Sequence, residues 1–133
     1  MDQEILFDTW NNQKKILQAE IEMEISYPKE GEVWMCSIGK NIGFEQNGSG
    51  ENYARPVLVI KKFNNKMFWT VPLSSKQKDI DFYHNFTDSD NLKVSLILAQ
   101  MKLVSIKRMR RKMYDIDQNV LVVSKNKLRE YLQ

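Results

Sequence analysis

The sequence predicts an α+β fold: a small twisted antiparallel sheet or partly closed barrel, with a helix towards each end of the chain. Three observations predict it. Short apolar runs separated by closely spaced turn signals fill residues 31–116, as in small antiparallel sheets. Residues 2–25 carry apolar side chains at helical spacing. Asp117 stands where it can cap a last helix. Helices flanking such a sheet give the α+β class.

Within 2–25, Leu6, Trp10, Leu17, Ile21 and Ile25 fall on one side of the predicted helix, and Gln, Lys and Glu fill the rest. Pro28 ends the segment and biases Tyr27 towards an extended conformation. Such a stripe is usually buried in the domain's own core or by a dimer partner. The alternative is an acidic helix lying over a basic groove. Residues 1–27 are thus expected to form an amphipathic helical extension and residues 28–133 the barrel domain.

From Gly31 the period changes. Val33–Ile38 reads as a strand and 39–54 as a Gly- and Asn-rich loop. Pro56–Phe63 is the next strand, with the wholly apolar Val57-Leu58-Val59-Ile60 inside it. Asn64-Asn65 marks a tight turn, and Lys66–Ser74 returns. Ile80–Phe86 reads as a short strand, Thr87–Asn91 as a turn and Lys93–Ala99 as the most buried strand. Ser105–Met109 suits one helical turn and Arg110–Ile116 a strand. The last helix should reach about Leu132, although the β-branched residues in Val120–Val123 oppose its first turns.

A chain of 133 residues fits one domain with one real core. Its 42% apolar and 28% charged residues are ordinary for a globular protein. No apolar run is long enough to span a bilayer, and the acidic start has no signal core, so the cytoplasm is the expected compartment. Cys36 is the only cysteine, which excludes a disulfide framework, and no His, Cys, Asp or Glu spacing suggests a metal site. The net charge of +3 hides an asymmetry. Residues 1–30 hold seven acids and three bases, whereas 31–133 hold ten acids and seventeen bases. A basic body attracts phosphate backbones, and a solvated basic surface is the plainer reading.

Arg55 stands between the polar loop and the apolar strand. Its planar, permanently charged fork fits a phosphate and can stabilise charge developing on a phosphoryl oxygen. With the hairpin closed at Asn64-Asn65, Ser74 comes nearly opposite Arg55. Its hydroxyl can donate to or accept from a phosphate. Ser75 and Lys76 follow directly. Glu45 and Gln46 place a carboxylate and an amide in the loop. Lys102, Lys107, Arg108, Arg110, Arg111 and Lys112 form a basic cluster suited to a phosphate backbone. His84 is the only histidine, and a lone histidine is more often structural. Tyr53, Trp69, Phe82 and Tyr83 could stack on bases, though at least two are expected in the core.

These residues resemble those of the MazF/PemK toxins over about residues 31–133. The similarity rests on Gly31-Glu32-Val33-Trp34, Gly43-Phe44-Glu45-Gln46 and Arg55-Pro56-Val57-Leu58-Val59-Ile60. It continues through Val71-Pro72-Leu73-Ser74-Ser75 and Leu98-Ala99-Gln100-Met101-Lys102. The resemblance implies a small SH3-like barrel with a C-terminal helix, here with the N-terminal helix added. It implies a homodimer, a cognate antitoxin as partner, and cleavage of single-stranded RNA without a metal or other cofactor. It places the catalytic pair on Arg55 and Ser74. It places substrate-binding residues on Glu45, Gln46, Ser75, Lys76, His84, Gln100 and Lys102. In the implied reaction the RNA's 2′-hydroxyl attacks the adjacent phosphate, leaving a cyclic phosphate and a 5′-hydroxyl.

The chain departs from the family pattern at four places. Ala99 stands where some relatives carry a catalytic acid, Lys102 where the family usually has Arg, and Ser74 where Thr is commoner. Residues Asn47 to Ala54 lengthen the loop. Two other readings stay open: a gyrase poison of the related CcdB branch, whose characteristic C-terminal tail is not matched here, and a non-catalytic basic RNA-binding small barrel.

Overall fold

The computed structural model describes residues 26–37 and 54–133. The predicted helix at 2–25 and most of the loop at 39–54, with Glu45, Gln46 and Tyr53, lie outside the described residues. The described chain forms seven strands: β1 (Glu32–Ser37), β2 (Ala54–Lys62), β3 (Met67–Ser74), β4 (Tyr83–Thr87), β5 (Lys93–Ile97), β6 (Lys102–Ser105) and β7 (Met109–Asp115). One helix follows, α1 (Gln118–Tyr131). All strand pairs are antiparallel, in the order β4-β5-β3-β2-β1-β7, with β6 also beside β3.

β3 changes partner along its length. Met67–Thr70 pair with β6, whereas Leu73 and Ser74 pair with β5. The sheet therefore curls and splits at this strand, which makes the partly closed barrel that the sequence predicts. The β2–β3 hairpin closes where Asn64-Asn65 indicates. Asn64 Oδ1 accepts from the backbone N–H groups of Lys66 (2.7 Å) and Met67 (3.0 Å).

The unbroken apolar run in β2 has a direct cause: both of its faces are covered. Leu58 and Ile60 join Val33, Val71, Leu73, Leu96, Leu98 and Ile116 in the main core beneath Leu121 of α1. Val59 packs with Trp34 and Phe68 on the other side. Val57 packs there with Cys36 and Val104. Gly31 precedes β1 at φ +89, and a Cβ there would stand 3.2 Å from Leu121 Cδ2. A side chain at this position would be strained and would crowd the helix.

Asp117 caps α1 as expected, its Oδ1 accepting from Asn119 N at 2.8 Å. The β-branched run is tolerated because Leu121 is buried and Val120 packs against the core.

Three elements differ from expectation. Ile80 and Phe82 are not in a strand. Tyr83 N donates to Ile80 O at 3.0 Å, closing a turn that leaves both side chains exposed. The strand from Lys93 stops at Ile97, and Leu98–Gln100 turn in a 3-10 helix because Leu98 N bonds to Phe82 O at 2.8 Å. β6 is additional. Its four residues are too few to show a period and are held by pairing with β3. The single turn expected near Ser105 is present as Ile106–Arg108. None of the described helices is long and apolar enough to cross a membrane.

Candidate active site

Arg55 is the second residue of β2 and pairs with Cys36 of β1; the neighbouring pair, Ala54 with Ser37, joins the two ends of the 38–53 segment. The β2–β3 ladder ends at Val57 with Pro72, two residues short of Arg55 and Ser74. Beyond it β3 turns to β5. The guanidinium bridges the parting strands, its Nη2 donating to Leu73 O at 2.8 Å. Arg55 and Ser74 thus sit at one corner, as the hairpin register predicts.

They also share a face. Cross-strand partners point to the same side of a sheet and alternate residues along a strand do too. On that rule Arg55, Val57, Thr70, Ser74, Ser95 and Lys102 lie on the side away from α1. Arg55 is half-buried, and burial lowers its pKa from the ordinary value, with Tyr83 opposing the shift. A partly dehydrated cation interacts more strongly with an anion than one in open water.

Ser74 is buried, and its Oγ accepts from Lys76 N at 3.1 Å. Opposite it on β5 stands Ser95, fully buried, whose Oγ donates to Lys76 O at 2.6 Å. Two serine hydroxyls therefore clamp both backbone groups of Lys76. The turn continues with Gln77 Nε2 donating to Phe86 O (3.1 Å) and Val94 O (2.9 Å), and Asn85 Nδ2 donating to Lys78 O (3.1 Å). The strand that delivers Ser74 is fixed on both sides, while Ser75 and the Lys76 side chain are exposed. Sequence reasoning passed over Ser95. A hydroxyl inside the apolar run Val94–Leu98 is the signal that finds it, because a buried hydroxyl requires a partner.

Lys102 belongs to this face. It pairs with Thr70, whose Oγ1 donates to Lys102 O at 3.2 Å. Gln100 ends the 3-10 turn just before it. His84 is not brought to the corner. Its strand partner is Leu96, and it stacks near Phe86 (centroids 6.4 Å apart), which packs against the main core. It faces α1, where burial and then Lys127 lower its pKa. Of the candidate stacking residues, Tyr83 is buried, Phe82 is exposed, and Trp69 is exposed near the other end of β3.

The basic cluster is dispersed: Lys102 lies on the Arg55 face and Lys107 is exposed in the 3-10 turn after β6. Arg108 Nη1 donates to Ser37 O at 3.2 Å, beside the corner. Arg110 and Arg111 line a cleft of about 500 Å³ with Met35 and Ala54; Met35 pairs with Arg111 and with Pro56, so this cleft opens on the sheet face opposite to Arg55. Lys112 is taken up by Glu32 (3.2 Å) and Asp115 (3.1 Å).

Cys36 is fully buried beneath this face. Burial pushes its thiol up to about 11, against the opposing pull of Arg108 and Lys102. A native thiol that is buried and protonated should resist alkylation at pH 8 and react only on unfolding. Because its folded pKa is raised, its contribution to stability is present below the unfolded value near 9 and is lost as pH rises to about 11. Comparing the chain with its Cys36→Ala variant across that window isolates the effect from lysine titration.

Residues 29–132 match the family model described as PemK-like, MazF-like toxin of type II toxin-antitoxin system. No curated protein matches the chain by sequence. Among solved structures, MazF (Form-I) from Deinococcus radiodurans is similar with a TM-score of 0.70 at 18% identity, over 81% of this chain and 98% of that one. The MazE-MazF structure (Form-II) from the same organism gives 0.66 at 15%, over 81% and 97%. An endoribonuclease in complex with its cognate antitoxin from Mycobacterial species gives 0.62 at 15%, over 79% and 94%. At these identities the solved structures support the fold.

Proposed function

The chain belongs to the PemK-like, MazF-like toxin family of type II toxin-antitoxin systems, and we propose that it acts there as an endoribonuclease whose cutting centre is the Arg55–Ser74 corner. The observation that carries this reading is the half-buried guanidinium held at 2.8 Å from Leu73 O, one residue from a buried hydroxyl at the parting of two strands. The structures of similar fold include MazF toxins and endoribonucleases in complex with antitoxins, which supports an antitoxin as this chain's partner. A homodimer working in the cytoplasm completes the reading.

The substrate supplies its own nucleophile. The RNA's 2′-oxygen bonds to phosphorus as the bond to the 5′-oxygen breaks. The proton lost from the 2′-hydroxyl balances the one gained by the leaving 5′-oxygen. Arg55 stabilises the negative charge gathering on the non-bridging oxygens, and Ser74 hydrogen-bonds one of them. Lys102, Gln100, Ser75 and Lys76 hold the flanking backbone, with Glu45 and Gln46 bordering the strand from the loop. Ala99 supplies no acid, so the electrostatic work falls on Arg55. His84 faces α1, on the other side of the sheet, and takes no part in this scheme.

A chimeric oligonucleotide carrying a single 2′-deoxy sugar at the cut position tests the mechanism. That one cut should disappear while neighbouring cuts persist; an undiminished cut would exclude 2′-hydroxyl attack. Ser95 acts as a positioning residue. Ser95→Ala should lower kcat about tenfold through a small displacement of Ser74, with KM little changed. An equal loss in a Ser74→Ala background would show that Ser95 acts independently of Ser74.

A further inference from the structure

We propose that residues 1–25 dock as an amphipathic helix on the exposed sheet face formed by Phe63, Met67, Trp69 and Leu103. This surface lies near the hairpin end of β2 and β3, whereas Arg55 and Ser74 lie at the other end. The proposal is therefore independent of the RNA-cutting reading.

Met67 and Trp69 alternate with Val71 and Leu73 along β3, so they lie on the face that α1 covers further along the strand. Near the hairpin that cover is missing among the described residues. Met67 (41%), Trp69 (40%), Phe63 (47%) and Leu103 (51%) are all exposed. They are contiguous. Trp69 pairs directly with Leu103, and Phe63 meets Trp69 edge-on with ring centroids 4.9 Å apart. Phe63 N bonds to Met67 O across the turn. A connected aromatic and aliphatic patch of this kind marks an interaction site.

The position of the chain where it enters the fold selects the occupant. Glu30 Oε2 accepts from Lys62 N at 3.2 Å, and Glu30 Oε1 pairs with Lys125 of α1 at 2.9 Å. Glu30, four residues into the described chain, therefore lies at the boundary between α1 and the hairpin end of β2. A tethered segment has a high effective concentration for an adjoining surface, of the order of millimolar for short tethers. Twenty-five helical residues measure about 37 Å, and the three strands β2, β3 and β6 span about 10 Å. The turns carrying Leu17, Ile21 and Ile25 are enough to cross the patch.

Charge agrees. Residues 1–25 hold six acids and two bases. Lys61 stands opposite Trp69, Lys66 lies in the hairpin, and Lys107 follows the Ser105 that pairs with Met67. All three are exposed. The exposed residues of α1 are Val122, Val123 and Tyr131 among Gln118, Asn119, Asn126, Arg129 and Glu130, with no exposed lysine, a poorer match for an acidic apolar stripe.

The test is a double-mutant cycle in the full chain with Ile21→Glu and Trp69→Glu, read by thermal unfolding at two protein concentrations. Each single variant should lower Tm by about 4 °C, and the double variant should fall no further than the larger single loss. Additive losses, or no effect of Ile21→Glu, would overturn the proposal. A second measurement uses Leu17→Cys with Met67→Cys and a short bis-maleimide, Cys36 being buried. Cross-linking within one chain supports docking. Cross-linking between chains would assign the patch to a second copy and overturn it, as would no cross-link at either site.

Discussion

Arg55→Ala should reduce RNA cleavage by about 10²–10³-fold, the loss expected when a preorganised electrostatic partner of the transition state is removed. The side chain is half-buried at a fixed corner, so water replaces it poorly. The substitution also removes the donor to Leu73 O. A hydrogen bond from a charged group contributes about 1.5–3 kcal/mol. Partial exposure of Arg55 puts its stability cost at the low end of that range. The rate should be measured where unfolding curves show the variant still folded. Arg55→Lys keeps the charge and loses the fork. Its rate should fall between the two, nearer to Ala if geometry rather than charge dominates.

Glu32→Ala should be the most damaging of the polar substitutions considered, costing about 3 kcal/mol, within the range for stranding buried donors. Glu32 is buried at the start of β1. Its Oε1 accepts from Trp34 Nε1 at 2.9 Å and from Lys29 N at 3.0 Å, and its Oε2 meets Lys112 Nζ at 3.2 Å. One carboxylate thus holds the turn before β1, an indole of the second core and the edge strand β7. Glu32→Gln retains an acceptor for the two N–H groups and should cost about 1 kcal/mol. Denaturant unfolding separates the variants. Equal losses would mean that the Lys112 ion pair, rather than the hydrogen bonds, carries the effect.

Much of this architecture is legible in the residues. Strands with buried alternate positions and definite turns, such as Lys66–Ser74 after Asn64-Asn65, emerge near their true bounds because local chemistry and tertiary packing agree there. The Arg55–Ser74 juxtaposition follows from hairpin register alone. Other features depend on distant partners. β6 exists because β3 offers it a ladder, and four residues such as Lys102–Ser105 carry no period of their own. Ile80 and Phe82 read as a strand because they are apolar, yet a backbone bond back from Tyr83 makes them a turn.

The site was partly legible for a related reason. The family resemblance assigned the catalytic pair to Arg55 and Ser74, and hairpin register placed the two at one sheet edge. The clamp on Lys76 by Ser74 and Ser95 needs the β3–β5 pairing, which lies twenty-one residues apart in the chain. The resemblance placed His84 among the substrate-binding residues although a lone histidine is more often structural, and the strand alternation that puts Asn85 beside Ser95 sends His84 to the helix side. The basic cluster looked like one surface in sequence and is dispersed in space. Strand alternation and the demand of Glu32 for a cation divide it.

The most direct test is to incubate purified full-length protein with a long single-stranded RNA in EDTA and map the new ends. Discrete cuts leaving 5′-hydroxyl and cyclic phosphate ends are predicted. An intact RNA in the presence of folded protein, or cuts leaving 5′-phosphates, would contradict the assignment of this fold's Arg55–Ser74 corner as an RNA-cutting centre.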